Sequence, residues 1–245
     1  MKFIKNRYIY LVFVFVICLT ILFITYVYYL FIRIETEISH RPSWIDPSLD
    51  IVIHKKQNVS IIFKILHILL GIFVPIFDSN TELFCNWSHL EKHMDDIVKL
   101  INEKGIKIDH VIGIKSGGAI ITKYVAEKLN VHYSYIKVQN KEYNCDKRER
   151  DTIKEIIKRV LGIKREYMVC ETIDVDLTGK NVLILDEQIA KGITMKTVIN
   201  YVVNEKHTAK TYPMVILNQK QSNYNFDLLY VSTTRYYIWP WGYDN

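Results

Sequence analysis

The chain has 245 residues, of which 49% are apolar and 24% are charged, and its formal net charge is +6. This composition excludes a disordered chain and allows one well-packed domain with an additional segment. The positive charge favours negatively charged partners, either phosphate groups or an anionic lipid surface. We expect no nucleic-acid partner.

The cysteines, Cys18, Cys85, Cys145 and Cys170, form no CxxC pair and have no histidine at a metal-ligand spacing. A structural zinc site is therefore not predicted. Cys18 lies in the most apolar segment. The other three suit buried reduced thiols better than a disulfide framework, which favours a cytosolic domain.

A charge-free apolar stretch extends from Tyr8 to Ile32. As an α-helix it is long enough to span a bilayer core of about 30 Å. Its length, and the absence of a small-residue cleavage site after it, argue against a signal peptide. We therefore predict a transmembrane anchor over residues 1–33 and a lipid bilayer as a partner. Lysine and arginine residues before the stretch place the N-terminus in the cytosol.

Residues 34–80 are predicted to form a linker that contains a second apolar stretch at 59–77, interrupted by Lys64 and His67. Three structures fit this stretch: a second span, a helix lying in the membrane interface, or a helix packed on the soluble domain. A second span would return the following domain to the cytosol, whereas a single span would leave it outside. Glycosylation of the sequon at Asn86 would refute a cytosolic domain.

Residues 81–245 are predicted to form an α/β domain. An amphipathic helix, "WSHLEKHMDDIVKLINEKG", carries a capping box at Ser88 and Glu91 and ends at Gly105. Short apolar runs then alternate with helical segments, the strands being "HVIGI", "HYSYIKV", "VLIL", "TYPMVIL" and "FDLLYVS". A charged amphipathic segment at 146–162 is a further predicted helix. This order is typical of a mainly parallel sheet with helices on both faces.

Two turns at strand ends carry candidate chemistry. In "IGIKSGGAII", small residues and Lys115 leave backbone N–H groups and a helix N-terminus open to an anion. In "VLILDEQIAKGIT", Asp186 and Glu187 follow the apolar strand and a short loop with Gly192 leads into the next helix. Carboxylates bind sugar hydroxyls or Mg²⁺, and the loop suits a phosphate. Because ligands bind beyond the carboxyl ends of parallel strands, a sugar phosphate fits both turns at once.

The stretch "VLILDEQIAKGIT" resembles the phosphoribosyl pyrophosphate (PRPP) signature of type I phosphoribosyltransferases: four apolar residues, two acids, three variable residues, Thr, Gly, any residue and Thr. The segments "WSHLEKHMDDIVKLI", "HVIGIKSGGAIITKYVAEKL" and "DLTGKNVLILDE" are similar to other parts of the family in the same order. Near the end, "VILNQKQSNYNFDLLYVSTTRYYIWPWGYD" resembles the purine end of xanthine-guanine and hypoxanthine enzymes. The resemblance covers residues 85–243.

The resemblance implies transfer of ribose 5-phosphate from PRPP to a purine-like base with release of pyrophosphate, and Mg²⁺ as cofactor. Asp186 and Glu187 would be the catalytic pair, facing the ribose hydroxyls and the metal. The oligomeric state is left open between monomer and homodimer. The remaining implied contacts are, for the 5-phosphate, Ala190, Lys191, Gly192, Ile193 and Thr194; for pyrophosphate, Lys115, Ser116, Gly117 and Gly118; and for the base, Lys220, Tyr236 and Ile238.

Three positions depart from the family pattern. Ala190 stands where many 6-oxopurine enzymes have an aspartate that acts as general base, although the adenine enzymes also carry alanine there. Lys191 replaces the first threonine of the loop, and Ser116 stands where relatives often have arginine. The sequence therefore leaves open a second hypothesis, a degenerate relative that binds PRPP or a nucleotide as a sensor or scaffold.

Overall fold

A computed structural model of the chain describes residues 15–26, 42–49, 81–115, 117–142, 145, 166–189, 191–218, 230 and 235–239. The chain divides into two compact units. The first comprises Met1–Arg41, Val52–Trp87 and Arg235–Asn245, and the second comprises Pro42–Ile51 and Ser88–Thr234. The predicted helices at 59–77 and 146–162 lie outside the described residues.

The first unit contains a helix, α1, at residues 15–26, within the predicted membrane anchor. Its apolar side chains are exposed; Phe15 and Leu22, for example, are 63% and 66% exposed. The hydroxyls of Thr20 and Thr25 donate hydrogen bonds of 2.8 and 2.9 Å to backbone carbonyls one turn earlier, so neither side chain needs an external partner. Among the described residues there is no helix with the length and apolar character needed to cross a membrane.

The same unit contains a two-stranded parallel sheet. Strand β1 is Thr81–Phe84 and strand β7 is Arg235–Ile238. Thr81 lies opposite Arg235 and Phe84 lies opposite Ile238.

The second unit is built on a five-stranded sheet in the order β4-β3-β2-β5-β6. Its strands are β2 (His110–Ile114), β3 (His132–Asn140), β4 (Tyr167–Glu171), β5 (Asn181–Ile189) and β6 (Lys210–Asn218). Every neighbouring pair is parallel except β3 and β4, which are antiparallel. The mainly parallel sheet predicted from the alternating pattern is confirmed, whereas the antiparallel edge strand was not predicted.

Three helices accompany the sheet: α2 (Trp87–Glu103), α3 (Gly117–Leu129) and α4 (Ile193–Asn204). Successive residues of β2 face opposite sides because strand side chains alternate. Gly113 lies against α3, where a Cβ would be 3.0 Å from the Ala119 Cα. Ile112 and Ile114 belong instead to a core cluster that includes Met195 of α4. Helices therefore cover both faces of the described sheet, as predicted.

Residues 42–49, part of the predicted linker, pack in the second unit. Ile45 is buried, and the Asp46 carboxylate accepts hydrogen bonds from the hydroxyls of Tyr133 (3.1 Å) and Tyr135 (2.7 Å). Burial opposes ionisation of Asp46, but these bonds and those from Ser48 lower its pKa to about 2. The indole N–H of Trp44 donates to the Glu91 carboxylate. This segment is thus fixed to β3 and α2 by side chains that no sequence periodicity singles out.

The expectation of reduced thiols is wrong for one pair of cysteines. Cys145 and Cys170 form a disulfide across 25 positions of sequence, whereas Cys85 is a buried thiol outside any disulfide, as predicted. The reason is the antiparallel addition of β4 to β3. It places Cys170 beside Lys137 and Val138 of β3, and the Cys145 carbonyl lies at the same point, where it accepts a 2.6 Å hydrogen bond from the Lys137 ammonium.

Candidate active site

The acidic pair lies at an asymmetric position in the sheet. On one side of β5, pairing with β2 ends where Gly113 meets Leu185. On the other side, pairing with β6 continues past Asp186 as far as Ile189. Asp186 and Glu187 are therefore inside the strand, which extends four residues beyond the run "VLIL", and not after it as the sequence analysis predicted. They remain open on the side where β2 has ended.

The two glycines that follow β2 occupy that open side. A Cβ at Gly117 would lie 2.6 Å from the Glu187 Oε2 atom and 2.7 Å from its Cγ. A Cβ at Gly118 would lie 2.9 Å from the Asp186 Cα and would overlap with the Leu185 carbonyl oxygen. Glycine is therefore required at Gly118 for close approach of backbone to backbone, whereas a side chain at Gly117 would displace the Glu187 carboxyl group. The two turns predicted from sequence are therefore brought together.

The carboxyl groups of this pair are almost withdrawn from water. Asp186 is 7% exposed and Glu187 is 3% exposed. Burial, reinforced by the neighbouring Glu187 charge, raises the pKa of Asp186 well above its usual value, although its Oδ1 accepts a 3.0 Å hydrogen bond from the Glu187 N–H. The Glu187 Oε2 atom is buried without a hydrogen-bond partner. Such a pair favours a ligand that brings hydroxyl donors or a cation.

The loop after β5 has backbone groups that suit an anion. Gly192 is buried with φ 79° and ψ 3°, in the left-handed region that favours glycine, and it caps the N-terminus of α4. No side chain caps this helix start, so its first N–H groups are directed outward with the positive end of the helix dipole. Lys191 is exposed beside it, and Ile193 and Thr194 open the helix half-buried. Ala190 lies outside the described residues.

Lys115 does not face the acidic pair with its side chain. Its N–H donates 2.7 Å to the Ile136 carbonyl, and its ammonium group forms an ion pair with Glu171 at the end of β4. Lys137 on β3 also approaches Glu171, at 3.9 Å. Glu171 and Lys137 were not predicted from the sequence, because only the antiparallel register of β4 on β3 brings them together. Ser116 lies outside the described residues.

Only two of the three predicted base contacts lie among the described residues. Tyr236 and Ile238 lie on β7 in the first unit, where Tyr236 is opposite Glu82. Lys220 lies outside the described residues. Base binding by these three residues stays a prediction.

A model of the family described as phosphoribosyl transferase domain matches residues 84–243. The chain belongs to this family. A search of curated proteins found no match for this phosphoribosyltransferase. Its resemblance to the type I enzymes, noted first on the PRPP signature, is thereby confirmed.

A search of solved structures found several that are similar to this chain. The purine phosphoribosyltransferase from Pyrococcus horikoshii Ot3 superposes with a TM-score of 0.51 at 17% identity, over 68% of this chain and 97% of that one. A hypothetical protein from Neisseria gonorrhoeae with bound ppGpp gives 0.49 at 16% identity, over 66% and 89%. The xanthine-guanine-hypoxanthine phosphoribosyltransferase of Helicobacter pylori gives 0.43 at 12% identity, over 61% and 90%.

The acidic pair of this phosphoribosyltransferase fits a particular kind of metal site. Within the ranges that the structure describes, no three or more His, Cys, Asp or Glu side chains come together as a ligand set. Mg²⁺ does not need such a cage, because it is commonly held by one or two carboxylates together with water and substrate phosphate oxygens. Asp186 and Glu187, with the unpartnered Oε2, have the chemistry for that arrangement.

Proposed function

We propose that the chain is a membrane-anchored phosphoribosyltransferase that transfers ribose 5-phosphate from PRPP to a purine-like base and releases pyrophosphate. One observation carries the proposal. The glycine turn after β2 rests directly on the buried pair Asp186 and Glu187, so an anion-binding turn and a hydroxyl-binding or metal-binding pair adjoin. PRPP carries both kinds of group on one ribose.

The proposed reaction forms a bond from a base nitrogen to the anomeric carbon and breaks the bond from that carbon to the pyrophosphate oxygen, while the proton of that nitrogen passes to solvent. The N-terminus of α4, capped by Gly192, would hold the 5-phosphate. Asp186 and Glu187 would hold the ribose hydroxyls, and their negative charge would stabilise the positive charge that develops on the ring. When bound, Mg²⁺ neutralises charge on the leaving pyrophosphate. Most of the rate gain would come from orientation and electrostatics.

The membrane anchor in the proposal is supported by α1. Its exposed apolar side chains need a nonaqueous environment, and its two threonine hydroxyls are satisfied within the helix. Because PRPP is a cytosolic metabolite, the proposal requires a second span that returns the domain to the cytosol. The Cys145–Cys170 disulfide is more typical of an oxidising compartment. Protease protection on sealed vesicles, together with glycosylation at Asn86, decides the topology.

A second candidate function is favoured by Ala190. It leaves the loop without the carboxylate that serves as general base in many 6-oxopurine enzymes. Where such a base operates it contributes about 10²- to 10⁴-fold in rate. A protein with this loop would still bind PRPP or a nucleotide and act as a sensor or scaffold. A domain protected in the lumen would favour this candidate.

Two measurements test the function. Calorimetry with PRPP and Mg²⁺ measures binding, and a screen of purine bases for pyrophosphate release measures turnover. Binding with turnover supports the enzyme, and binding without turnover on any base supports the sensor. Absence of PRPP binding refutes the enzyme, and absence of binding to both PRPP and nucleotides refutes the sensor.

The acidic pair gives the sharpest variant. We expect Glu187→Gln to weaken binding of PRPP with Mg²⁺ by roughly 30-fold or more, in line with loss of a charge-assisted contact worth about 2 kcal/mol or more. The same change should raise the free energy of unfolding by about 1 kcal/mol, because it relieves the repulsion between two adjacent buried carboxyl groups. Glu103→Gln, at an exposed ion pair with Lys99, is the matched control and should change neither quantity. Wild-type affinity in Glu187→Gln would refute the site assignment.

A further inference from the structure

Three charged side chains and a disulfide form a cluster at the edge of the sheet, beside the predicted pyrophosphate turn. The Glu171 carboxylate lies between two ammonium groups, that of Lys115 on its Oε2 and that of Lys137 at 3.9 Å from its Oε1. Lys115 is the first residue after β2, and Lys137 lies opposite Glu171 in the β3–β4 register. All three side chains are between 34% and 45% exposed, so a ligand can reach them.

Glu171 is held in place by more than its ion pairs. Cys170, the residue before it, is cross-linked to Cys145. The Cys145 carbonyl in turn accepts a 2.6 Å hydrogen bond from the Lys137 ammonium. The disulfide, Lys137 and Glu171 therefore form one connected group, which fixes the position of Glu171.

The arrangement has the geometry of an anion bound between two cations. Each oxygen of the carboxylate faces its own ammonium group, as two oxygens of a pyrophosphate would do. The backbone of the same turn, at Gly117, approaches Glu187. Lys115 thus belongs to the turn that reaches the acidic pair, but its charge is directed to the opposite side, onto β4.

We propose that Glu171 is an internal counter-anion, which occupies the pyrophosphate end of the site in the ligand-free protein and competes with a polyphosphate for Lys115 and Lys137. This inference rests on the proposed function, since it assigns the turn at Lys115 to pyrophosphate. Binding of the diphosphate exchanges one anion for another at the two lysines. Glu171 therefore sets how tightly pyrophosphate is held and how readily it leaves after the transfer.

The test measures binding of inorganic pyrophosphate with Mg²⁺ to the full chain in detergent micelles. A partly exposed ion pair is worth about 0.2–1 kcal/mol, and because Glu171 has two ammonium partners we expect the upper half of that range. Glu171→Gln should then bind pyrophosphate roughly three- to fivefold more tightly than the wild type. If Glu171 only stabilised the turn, its replacement would damage the turn and weaken pyrophosphate binding. Glu171→Thr removes the same charge with a residue suited to an edge strand, and it should show the same gain.

Glu166→Gln is the matched control. Glu166 pairs with Lys141 at 3.0 Å on the same edge of the sheet, so its replacement removes an equal charge from an ion pair that is more exposed than those of Glu171. Its pyrophosphate affinity should equal that of the wild type. An equal gain in Glu166→Gln would show a general charge effect and would overturn the proposal.

A double-mutant cycle tests whether Glu171 affects pyrophosphate binding through Lys115. In a Lys115→Gln background the gain from Glu171→Gln should fall below about twofold, because one of the two competed cations is gone. An undiminished gain, or an unchanged or weakened affinity in both Glu171 variants, overturns the inference. Turnover distinguishes this result from failure of the proposed function. Pyrophosphate release without a Glu171 effect refutes the inference alone, whereas a Glu171 effect without turnover on any base refutes the enzyme alone.

Discussion

The centre of the sheet and its β4 edge are built by different means. At the centre, β2 and β5 are parallel and buried, and the two turns meet because glycines allow backbone to approach backbone. At the edge, β4 is antiparallel and only partly buried, and it is tied to the rest by a disulfide and ion pairs. The centre thus depends on shape and the edge on charge and cross-linking. Changes at the centre should act through steric exclusion, and changes at the edge through stability and affinity.

The largest effect is expected at the centre. Gly117→Ala places a methyl group 2.6 Å from the Glu187 Oε2 atom, so either the Glu187 carboxyl group or the turn must shift, and the two lose their present arrangement. We expect a loss of PRPP affinity of about 100-fold or more, because a displacement of about 1 Å in a positioned site has an effect of that order. Calorimetry with PRPP and Mg²⁺ measures it.

The matched control for this variant is Ala119→Gly, two residues further along α3. It costs about 1 kcal/mol of helix stability without adding a side chain to the turn. Ala119 is buried, so the control also tests a change in the same packed region. If Ala119→Gly lost PRPP affinity as severely as Gly117→Ala, general destabilisation and not steric exclusion would account for both.

The difference between the two regions also explains how far the sequence could be read. The apolar runs at β2 and β5, the glycines and the acidic pair are local patterns, and they predicted the parallel sheet and the position of both turns. The end of β5 was placed four residues early, since hydrogen bonding to β6 carries the strand through Asp186 and Glu187. Pairing of this kind leaves no trace in the hydropathy of one segment.

The edge could not be predicted for the same reason. The contacts of Glu171 with Lys115 and Lys137 join residues on three different strands, and the Cys145–Cys170 disulfide depends on the direction of β4. The docking of Asp46 on Tyr133 and Tyr135 is equally remote in sequence. Such contacts follow from the fold and not from any local pattern.

The second effect in size is expected at the edge. Reduction of the Cys145–Cys170 disulfide opens a loop of 25 positions and should lower the free energy of unfolding by about 2–4 kcal/mol. Hydrogen exchange should quicken in β4 while β2 and β5 keep their protection, because central strands open only with the whole domain. Denaturation with and without dithiothreitol measures the first quantity. The Cys145→Ser, Cys170→Ser double variant should not respond to the reductant, and equal loss of protection in β5 would contradict the separation of edge and centre.

The smallest expected effect is a loss of stability at low pH that depends on His110, the first residue of β2. It is 1% exposed, and its Nε2 lies 2.9 Å from the Ser134 hydroxyl on β3, while its Nδ1 is buried without a partner. Burial, with smaller contributions from the positive charges of Lys180 and His132, lowers the pKa of His110 to about 4. In the unfolded chain a histidine titrates near pH 6.5.

Between pH 6.5 and 4 the unfolded chain therefore binds a proton at His110 that the folded chain excludes, and the folded state loses stability as the pH falls through this window. The loss should be about 1–3 kcal/mol between pH 7 and pH 4.5, measured by urea denaturation. Asp186 and His93 also titrate, but they do so equally in a His110→Gln variant, so the difference between wild type and variant isolates His110. That difference should change steadily as the pH falls from 6.5. A difference in unfolding free energy that stays constant with pH would show that the folded protein accepts a charged imidazole at the start of β2. The buried centre of the sheet would then not include His110.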